Sequence, residues 1–192
     1  MHESDIQVGA LGSDRTINLL SACARAVGDT WTAAHLTQLG RGGSSPAAAL
    51  IALATFGALT IDQLARTLSL SHSGASRCVD RLAERAWVER LGSTDSPTAD
   101  RRAVSVQLTP DGAEAAQQLL RDRQAGMEQL LAPLSEEDQQ RLGELLATVV
   151  AAQASDRASL RRVCRNCDHL ACSPCPALAQ VERLEQVGRA AG

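Results

Sequence analysis

The sequence predicts a mainly α-helical protein with one small β-hairpin, and three observations carry that. Apolar residues recur at helical spacing over most of the 192 positions, with Ala and Leu dominating and aromatics reduced to Phe56, Trp31 and Trp87. A helical pattern at Val79, Leu82, Ala83 and Ala86 shares its helix with arginines every fourth residue at Arg77, Arg81 and Arg85. Directly after it, Val88 to Leu91 and the alternating Val104-Ser-Val-Gln-Leu108 flank a turn-rich loop from Gly92 to Asp100, which reads as a hairpin. A basic helix followed by a hairpin bearing Arg101-Arg102 has the layout of a winged helix-turn-helix, the helix suited to a major groove and the wing to a neighbouring groove.

In chain order, residues 1–13 are expected to form a flexible arm. Asp14 to about Leu39 has helical spacing (Ile17, Leu20, Ala24, Val27, Trp31, Ala34), with a kink or break expected near Gly28. Trp31 supplies large buried area, at a helix contact or on a pocket wall. Gly40 to Ser45 is a loop by glycine density, and Ser45-Pro46 begins a helix whose inward face is Ala49, Leu50, Leu53 and Ala54 and which Gly57 stops. Thr60 with Gln63 three residues on is a capping box for TIDQLARTL, where Leu64, Ala65 and Leu68 point inward. Ser69-Leu70-Ser71 is the turn, with Ser71 as cap of the arginine-bearing helix. Thr109-Pro110 restarts helix after the hairpin, Pro133 interrupts it, and Ser135 followed by three acids starts another. Leu142, Leu145, Leu146, Val149 and Val150 on that last helix exceed what one small lobe can cover, so a symmetric dimer is expected to bury them.

Net charge is −3, yet six arginines against five acids make the window from Ser71 to Thr109 +1 and leave −4 elsewhere. That asymmetry is slight and permits nucleic-acid binding without requiring it. All basic residues are Arg. No run of eighteen apolar residues exists and the N-terminus is acidic, so no membrane span or signal peptide is expected, and the location is expected to be cytoplasmic.

LSLSHSGASRCVDRLAERAWVER followed by DRRAVSVQLTPDG resembles the core of MarR-type transcriptional regulators, in which an Asp-Arg-Arg segment precedes the second wing strand and a Leu-Thr-x-x-Gly turn. The likeness covers about Ser45 to Leu131 well and Ala132 to Ala152 by pattern. It implies long N- and C-terminal dimerisation helices that place two recognition helices on a palindrome. The expected layout is a flexible arm over 1–13, a dimerisation helix and loop over 14–44, the winged helix-turn-helix lobe over 45–112, dimerisation helices over 113–163, and a cysteine-cluster tail with a short terminal helix over 164–192.

His72, Ser73, Ser76, Arg77 and Arg81 are the expected DNA-contacting residues of the recognition helix, by the guanine-reading geometry of Arg and the phosphate-contacting hydroxyls. Arg85, further along, is set aside as a partner for acids one turn away, and were this face merely solvated, Asp80 and Glu84 would form i,i+4 pairs with the arginines. In the wing, Arg101 or Arg102 would enter the minor groove with Asp100 orienting an Arg, although GSTDSPTAD is acidic where the family often carries a basic residue.

Beyond the family core, Cys164, Cys167, Cys172 and Cys175 form C-x2-C-x4-C-x2-C with His169 inside. Two such knuckles can supply four thiolates to one tetrahedral zinc ion. The spacing also overlaps that of iron–sulfur ligands, so an iron–sulfur cluster is the rival, and redox-switching or unliganded thiols follow. Four cysteines suffice without His169. Cys78 and Cys23 are expected to be core fillers.

Together these features predict a homodimeric regulator of double-stranded DNA, a repressor, answering to a small-molecule or redox effector and linked to metal or redox state. The alternative is a metalloprotein interaction module whose winged helix binds protein. No nucleophile–base set is recognisable and no βαβ pattern accompanies the cysteines, so an enzyme is not expected.

Overall fold

The computed structural model describes residues 15–39, 44–92 and 104–190. Its elements are α1 (Arg15–Leu39), α2 (Ser44–Phe56), β1 (Leu59–Thr60), α3 (Ile61–Leu68), α4 (His72–Ala83), β2 (Val88–Leu91), β3 (Ser105–Leu108), α5 (Pro110–Leu131), α6 (Glu136–Ala152), α7 (Arg157–Cys164) and α8 (Pro176–Ala190). The architecture is mainly α with one small antiparallel sheet, a winged helix-turn-helix. Among the described residues no helix is long and apolar enough to cross a membrane.

The sheet runs β1-β3-β2, so the hairpin gains a third strand that two residues between helices supply. β3 pairs with β2 in the register Val88↔Leu108 to Leu91↔Ser105, and with β1 at Leu59↔Val106. Val106, fully buried in the middle strand, joins the sheet to the helical core. Val104, expected to open that strand, is exposed and precedes it.

The main core gathers Leu50 and Ile51 of α2, Leu64 of α3, Val79 and Leu82 of α4, and Ala116 and Leu119 of α5 around Val106. α2 is buried from Pro46 to Leu53 and packs on α1, α3, α4 and α5, so it is the hub of the lobe. Ala54, expected inward, is exposed. Gly57 ends α2 with φ +74 and donates its N–H to Leu53 at 3.0 Å, a conformation for which glycine carries no Cβ penalty.

The local signals produce the helix starts. Thr60 accepts from the Gln63 N–H at 3.2 Å while the Gln63 side chain accepts from the Thr60 N–H at 2.8 Å, a complete capping box. Ser71, Thr109 and Ser135 cap α4, α5 and α6, each side chain accepting from the backbone N–H three residues on. Two expectations fail. α1 runs unbroken through Gly28, because a single glycine costs a helix only about 1 kcal/mol and 25 residues of helix bear it. Ala86 does not extend the α4 face: the helix closes at Ala83, and Ala86 is exposed with φ +56 in the turn to β2.

Beyond α6, a second cluster of buried residues joins Ala154, Leu160, Cys164, Ala177 and Val181. α8 packs on α6 and α7, and α7 packs on α3 and α2. Phe56 touches both cores, so the C-terminal segment is attached to the back of the helix-turn-helix.

Candidate nucleic-acid interface and thiol cluster

α3 and α4 form the helix-turn-helix, and its turn is set by backbone geometry. Ser69 takes the left-handed conformation (φ 55), and Leu70 donates to Ala65 at 2.9 Å. Ser71 then caps α4 through the Gly74 N–H at 3.1 Å. The buried face of α4 is Ala75, Cys78, Val79 and Leu82, which leaves Ser73, Arg77 and Arg81 exposed and Ser76 half-buried. These four of the expected DNA-contacting residues therefore lie off the core side of one helix whose opposite side is locked in the core. Arg77 and Arg81 also line a shallow cavity of about 160 Å³ with Ser45, Pro46, Leu70, Gly74 and Cys78.

His72 is exposed, with Nδ1 2.8 Å from Asp62 of α3. That contact ties the first residue of α4 to the preceding helix. The Asp80 carboxylate accepts from Arg90 of β2 at 2.5 Å. The pair bridges α4 and the wing, a link that linear spacing of ten residues did not reveal. Arg85 stacks over the Trp87 ring at 4.9 Å. Asp100, Arg101 and Arg102 lie outside the described residues.

The far end of the hairpin shows why a Leu-Thr-x-x-Gly turn is needed here. Thr109 donates its hydroxyl to Ala86 O at 2.7 Å and its N–H to Trp87 O at 3.1 Å, and it accepts from Gly112 N at 3.1 Å. One threonine thus closes the turn after α4 and starts α5. Gly112 sits directly on the Trp87 carbonyl, where a Cβ would lie 2.7 Å from the carbonyl carbon and closer to its oxygen.

Three of the four C-terminal cysteines meet in the second core: Cys164 belongs to it, and Cys167 and Cys175 pack against it. The Cys167 N–H donates to the Cys164 carbonyl at 2.9 Å. Cys164 is buried, Cys167 and Cys175 are half-buried and Cys172 is exposed. The hydrogen bond from Cys164 holds the Cys167 thiol below its ordinary pKa against the opposing effect of burial, with the Arg123 charge assisting. Cys164 is pushed up by the same bond, by burial and by the charges of Cys167 and Cys175. Among the described residues no group of three or more His, Cys, Asp or Glu side chains is placed to hold a metal ion. His169 is exposed.

The segment from Arg165 to Cys175 forms no helix or strand and is held by neighbours. Thr55 of α2 donates to the Cys167 carbonyl at 3.3 Å, and Arg123 of α5 donates to the Asn166 carbonyl. Asn166 Oδ1 is buried without a hydrogen-bond partner among the described residues. Asn166 and Arg165 line a cavity of about 170 Å³ with Trp31, Ser44, Ser45, Ala48 and Leu68. His35, buried with Nδ1 2.8 Å from Trp31 O, is a polar core residue that no spacing signalled. Cys78 is a core filler as expected, its thiol pushed up to about 11 by burial against the lowering effect of Arg81. Cys23, expected to be a core filler, is instead exposed on α1.

The sequence pattern of the MarR family matches residues 44–102, which run from the start of α2 into the wing. The multiple antibiotic resistance protein MarR of Salmonella typhimurium is 39% identical over 62 residues, 32% of this chain and 40% of that protein. The regulator PecS of Dickeya dadantii is 28% identical over 92 residues, 48% of this chain and 53% of that protein. The chain thus matches about half or less of the length of these two relatives. Among solved structures, reduced MarR from E. coli superposes with a TM-score of 0.56 at 26% identity, over 68% of this chain and 95% of that one. A MarR family protein from Bacillus stearothermophilus shares the fold with a TM-score of 0.60 at 22% identity, over 71% of this chain and 94% of that one. PecS is by its name an HTH-type transcriptional regulator. With the family pattern matching residues 44–102 and the fold shared over about two thirds of its length, the chain is a winged helix-turn-helix protein similar to MarR family proteins, with an additional cysteine segment near its C-terminus.

Proposed function

We propose that the chain acts as a homodimeric transcriptional regulator of double-stranded DNA, reading a palindromic operator with α4 in the major groove and the hairpin wing in the minor groove. The observation that carries the reading is the outer side of α4: Ser73, Ser76, Arg77 and Arg81 on a helix capped by Ser71 and fixed in the core by Ala75, Val79 and Leu82. A rigid helix presenting arginines and hydroxyls suits base-edge and phosphate contacts. Arg101 and Arg102 would serve the minor groove, with Asp100 orienting one of them. The dimer is supported by apolar residues left uncovered on the long helices, among them Ile17 at 63%, Leu145 at 67% and Val149 at 55% exposure. Repression is supported by relatives bearing that name, such as the transcriptional repressor MdtR of Bacillus subtilis, 25% identical over 114 residues. A small-molecule or redox effector and control through the four C-terminal cysteines complete the reading.

The test is anisotropy titration with duplexes enriched by the protein from a random pool, repeated across salt concentrations. Wild type is expected to select a two-fold symmetric site and to lose affinity steeply with salt. Arg77→Ala and Arg102→Ala are each expected to weaken operator binding by about tenfold to a hundredfold, from about 1–3 kcal/mol per arginine–base contact. Arg85→Ala, whose guanidinium lies on Trp87, is expected to retain it. Wild-type affinity in both Arg77→Ala and Arg102→Ala, with the fold intact by circular dichroism, would falsify the assignment. Absence of salt-sensitive duplex binding in the wild type would favour the protein-interaction alternative.

A further inference from the structure

We infer that Cys164 and Cys167 are a dithiol exchange site: they react with a small-molecule disulfide of the glutathione class and close into one intrachain disulfide at the end of α7. The site rests on the turn that joins the two residues and is independent of the DNA reading above.

The first support is the backbone. Cys164 is the last residue of α7, and the Cys167 N–H donates to its carbonyl at 2.9 Å. A turn closed in this way keeps its end Cα atoms within about 7 Å, which overlaps the separation of about 4.4–6.8 Å that disulfides span. Joining the pair therefore needs rotation of side chains and no shift of the chain. The other Cys-x-x-Cys segment lacks such a bond among the described residues. There Cys172 donates to Asp168 at 3.1 Å, and the Cys175 carbonyl accepts from Ala179 in the first turn of α8 at 3.0 Å.

The second support is that both side chains go to one place. Cys164 belongs to the second core with Leu160, Ala177 and Val181, and Cys167 packs against it. Two residues at the ends of one turn that share one apolar cluster lie on the same side of that turn. Cys172 is exposed and outside the cluster. Cys175 packs on it from just before α8 and is the competing partner.

The third support is that the turn is held by the rest of the lobe. Thr55 of α2 donates to the Cys167 carbonyl at 3.3 Å, and Arg123 of α5 donates to the Asn166 carbonyl. These bonds engage carbonyl oxygens and spare the sulfurs. The Arg123 charge also favours the nucleophilic anion of Cys167.

Exposure sets the order of events. Cys167 is half-buried and Cys164 buried, so the incoming disulfide meets Cys167 first. The Cys167 thiolate attacks one sulfur of the small disulfide, whose S–S bond breaks; one small thiolate leaves and a mixed disulfide forms. The Cys164 thiolate then attacks the Cys167 sulfur, the second small thiolate leaves, and the intrachain bond closes. The two cysteine protons end on the two released small thiols, and the small disulfide gains the two electrons that the pair loses. A cross-link over so short a loop removes little chain entropy, so the pair is suited to exchange rather than to stapling the fold.

The experiment equilibrates the full chain, reduced and metal-free, in anaerobic mixtures of oxidised and reduced glutathione. After acid quenching and alkylation of the remaining thiols, cleavage after Arg165, which lies between the two cysteines, leaves their disulfide joining two peptides. Fragmentation of that pair by mass spectrometry is expected to place the link at Cys164–Cys167, rising with the oxidised fraction and kept in Cys172→Ser and Cys175→Ser. Cys164→Ser is expected to hold a glutathione adduct on Cys167. Brief alkylation of the native reduced chain is expected to modify Cys167 faster than Cys164, on the order of tenfold. A link from Cys164 to Cys172 or Cys175, no link in fully oxidised glutathione, or loss of the link in Cys172→Ser and Cys175→Ser with circular dichroism unchanged would overturn the pairing. An adduct in Cys164→Ser on Cys172 or Cys175 but not on Cys167, or equal alkylation of Cys164 and Cys167, would overturn the order. A linked pair in a chain that binds no duplex leaves this site intact and removes the DNA reading alone.

Discussion

Gly112→Ala should destabilise the lobe even though alanine is the better helix former. The position is the third residue of α5, and Ala there gains about 0.5–1 kcal/mol of intrinsic helix preference over Gly. Against this, the new Cβ would stand 2.7 Å from the Trp87 carbonyl carbon and 3.1 Å from its Cα. These are backbone atoms of a residue that also receives the Thr109 N–H and donates to Leu82, so a rotamer change gives no relief. α5 must move off the turn at Trp87, which weakens the Thr109–Ala86 hydrogen bond and the contacts of Leu119 in the core. Overpacking of this kind costs typically about 1–3 kcal/mol, so the net loss expected is about 1–2 kcal/mol. Gly28→Ala is the control: it lies in a helix interior with no atom within 4 Å of the added Cβ, and a gain of about 0.5–1 kcal/mol is expected. Urea denaturation of both variants at one fixed chain concentration reads the difference, since the stability of the proposed dimer would depend on concentration. If Gly112→Ala matched wild type, the close approach of α5 to Trp87 would not be what constrains the turn.

Two further substitutions or titrations test other parts of the lobe. Ala86→Gly should stabilise by about 1 kcal/mol, since Ala86 holds φ +56, where a Cβ is disfavoured, and unfolding midpoints would show no gain if that turn were relaxed in solution. Cys78 should resist alkylation in the native protein at pH 8, where a thiol of pKa about 11 is ionised only about one part in a thousand, while exposed Cys23 reacts. Peptide mapping that found Cys78 modified as fast as Cys23 would contradict its burial. The same shift fixes a sign. Stability tied to keeping Cys78 neutral is fully present below the unfolded thiol value of 9.0 and is lost as pH rises through about 11.

Some of this architecture is local chemistry and could be read directly. The capping box at Thr60–Gln63, the Ser71, Thr109 and Ser135 caps and the stop at Gly57 involve residues within four positions of each other, so sequence spacing alone specifies them. The same holds for the two faces of α4, because helical periodicity sends Val79 and Leu82 one way and Arg77 and Arg81 the other. Helix ends that depend on the tertiary setting were less legible. α4 closes at Ala83 although the apolar spacing continues to Ala86, because Thr109, 23 residues later, takes the Ala86 carbonyl.

What the sequence by itself determined is the set of elements, the outer side of α4 that carries the arginines, and the presence of a four-cysteine segment outside the shared core. Only the tertiary structure decided which of those residues meet. Asp80 meets Arg90 of β2, Arg85 settled on Trp87, Leu59-Thr60 became a third strand, and the cysteine segment docked against α2 and α5. The physical reason is range. Periodicity and capping act over one or two turns of chain, whereas an ion pair across ten residues, or a loop carbonyl bonded to a helix 112 positions earlier, exists only once packing has brought the partners together.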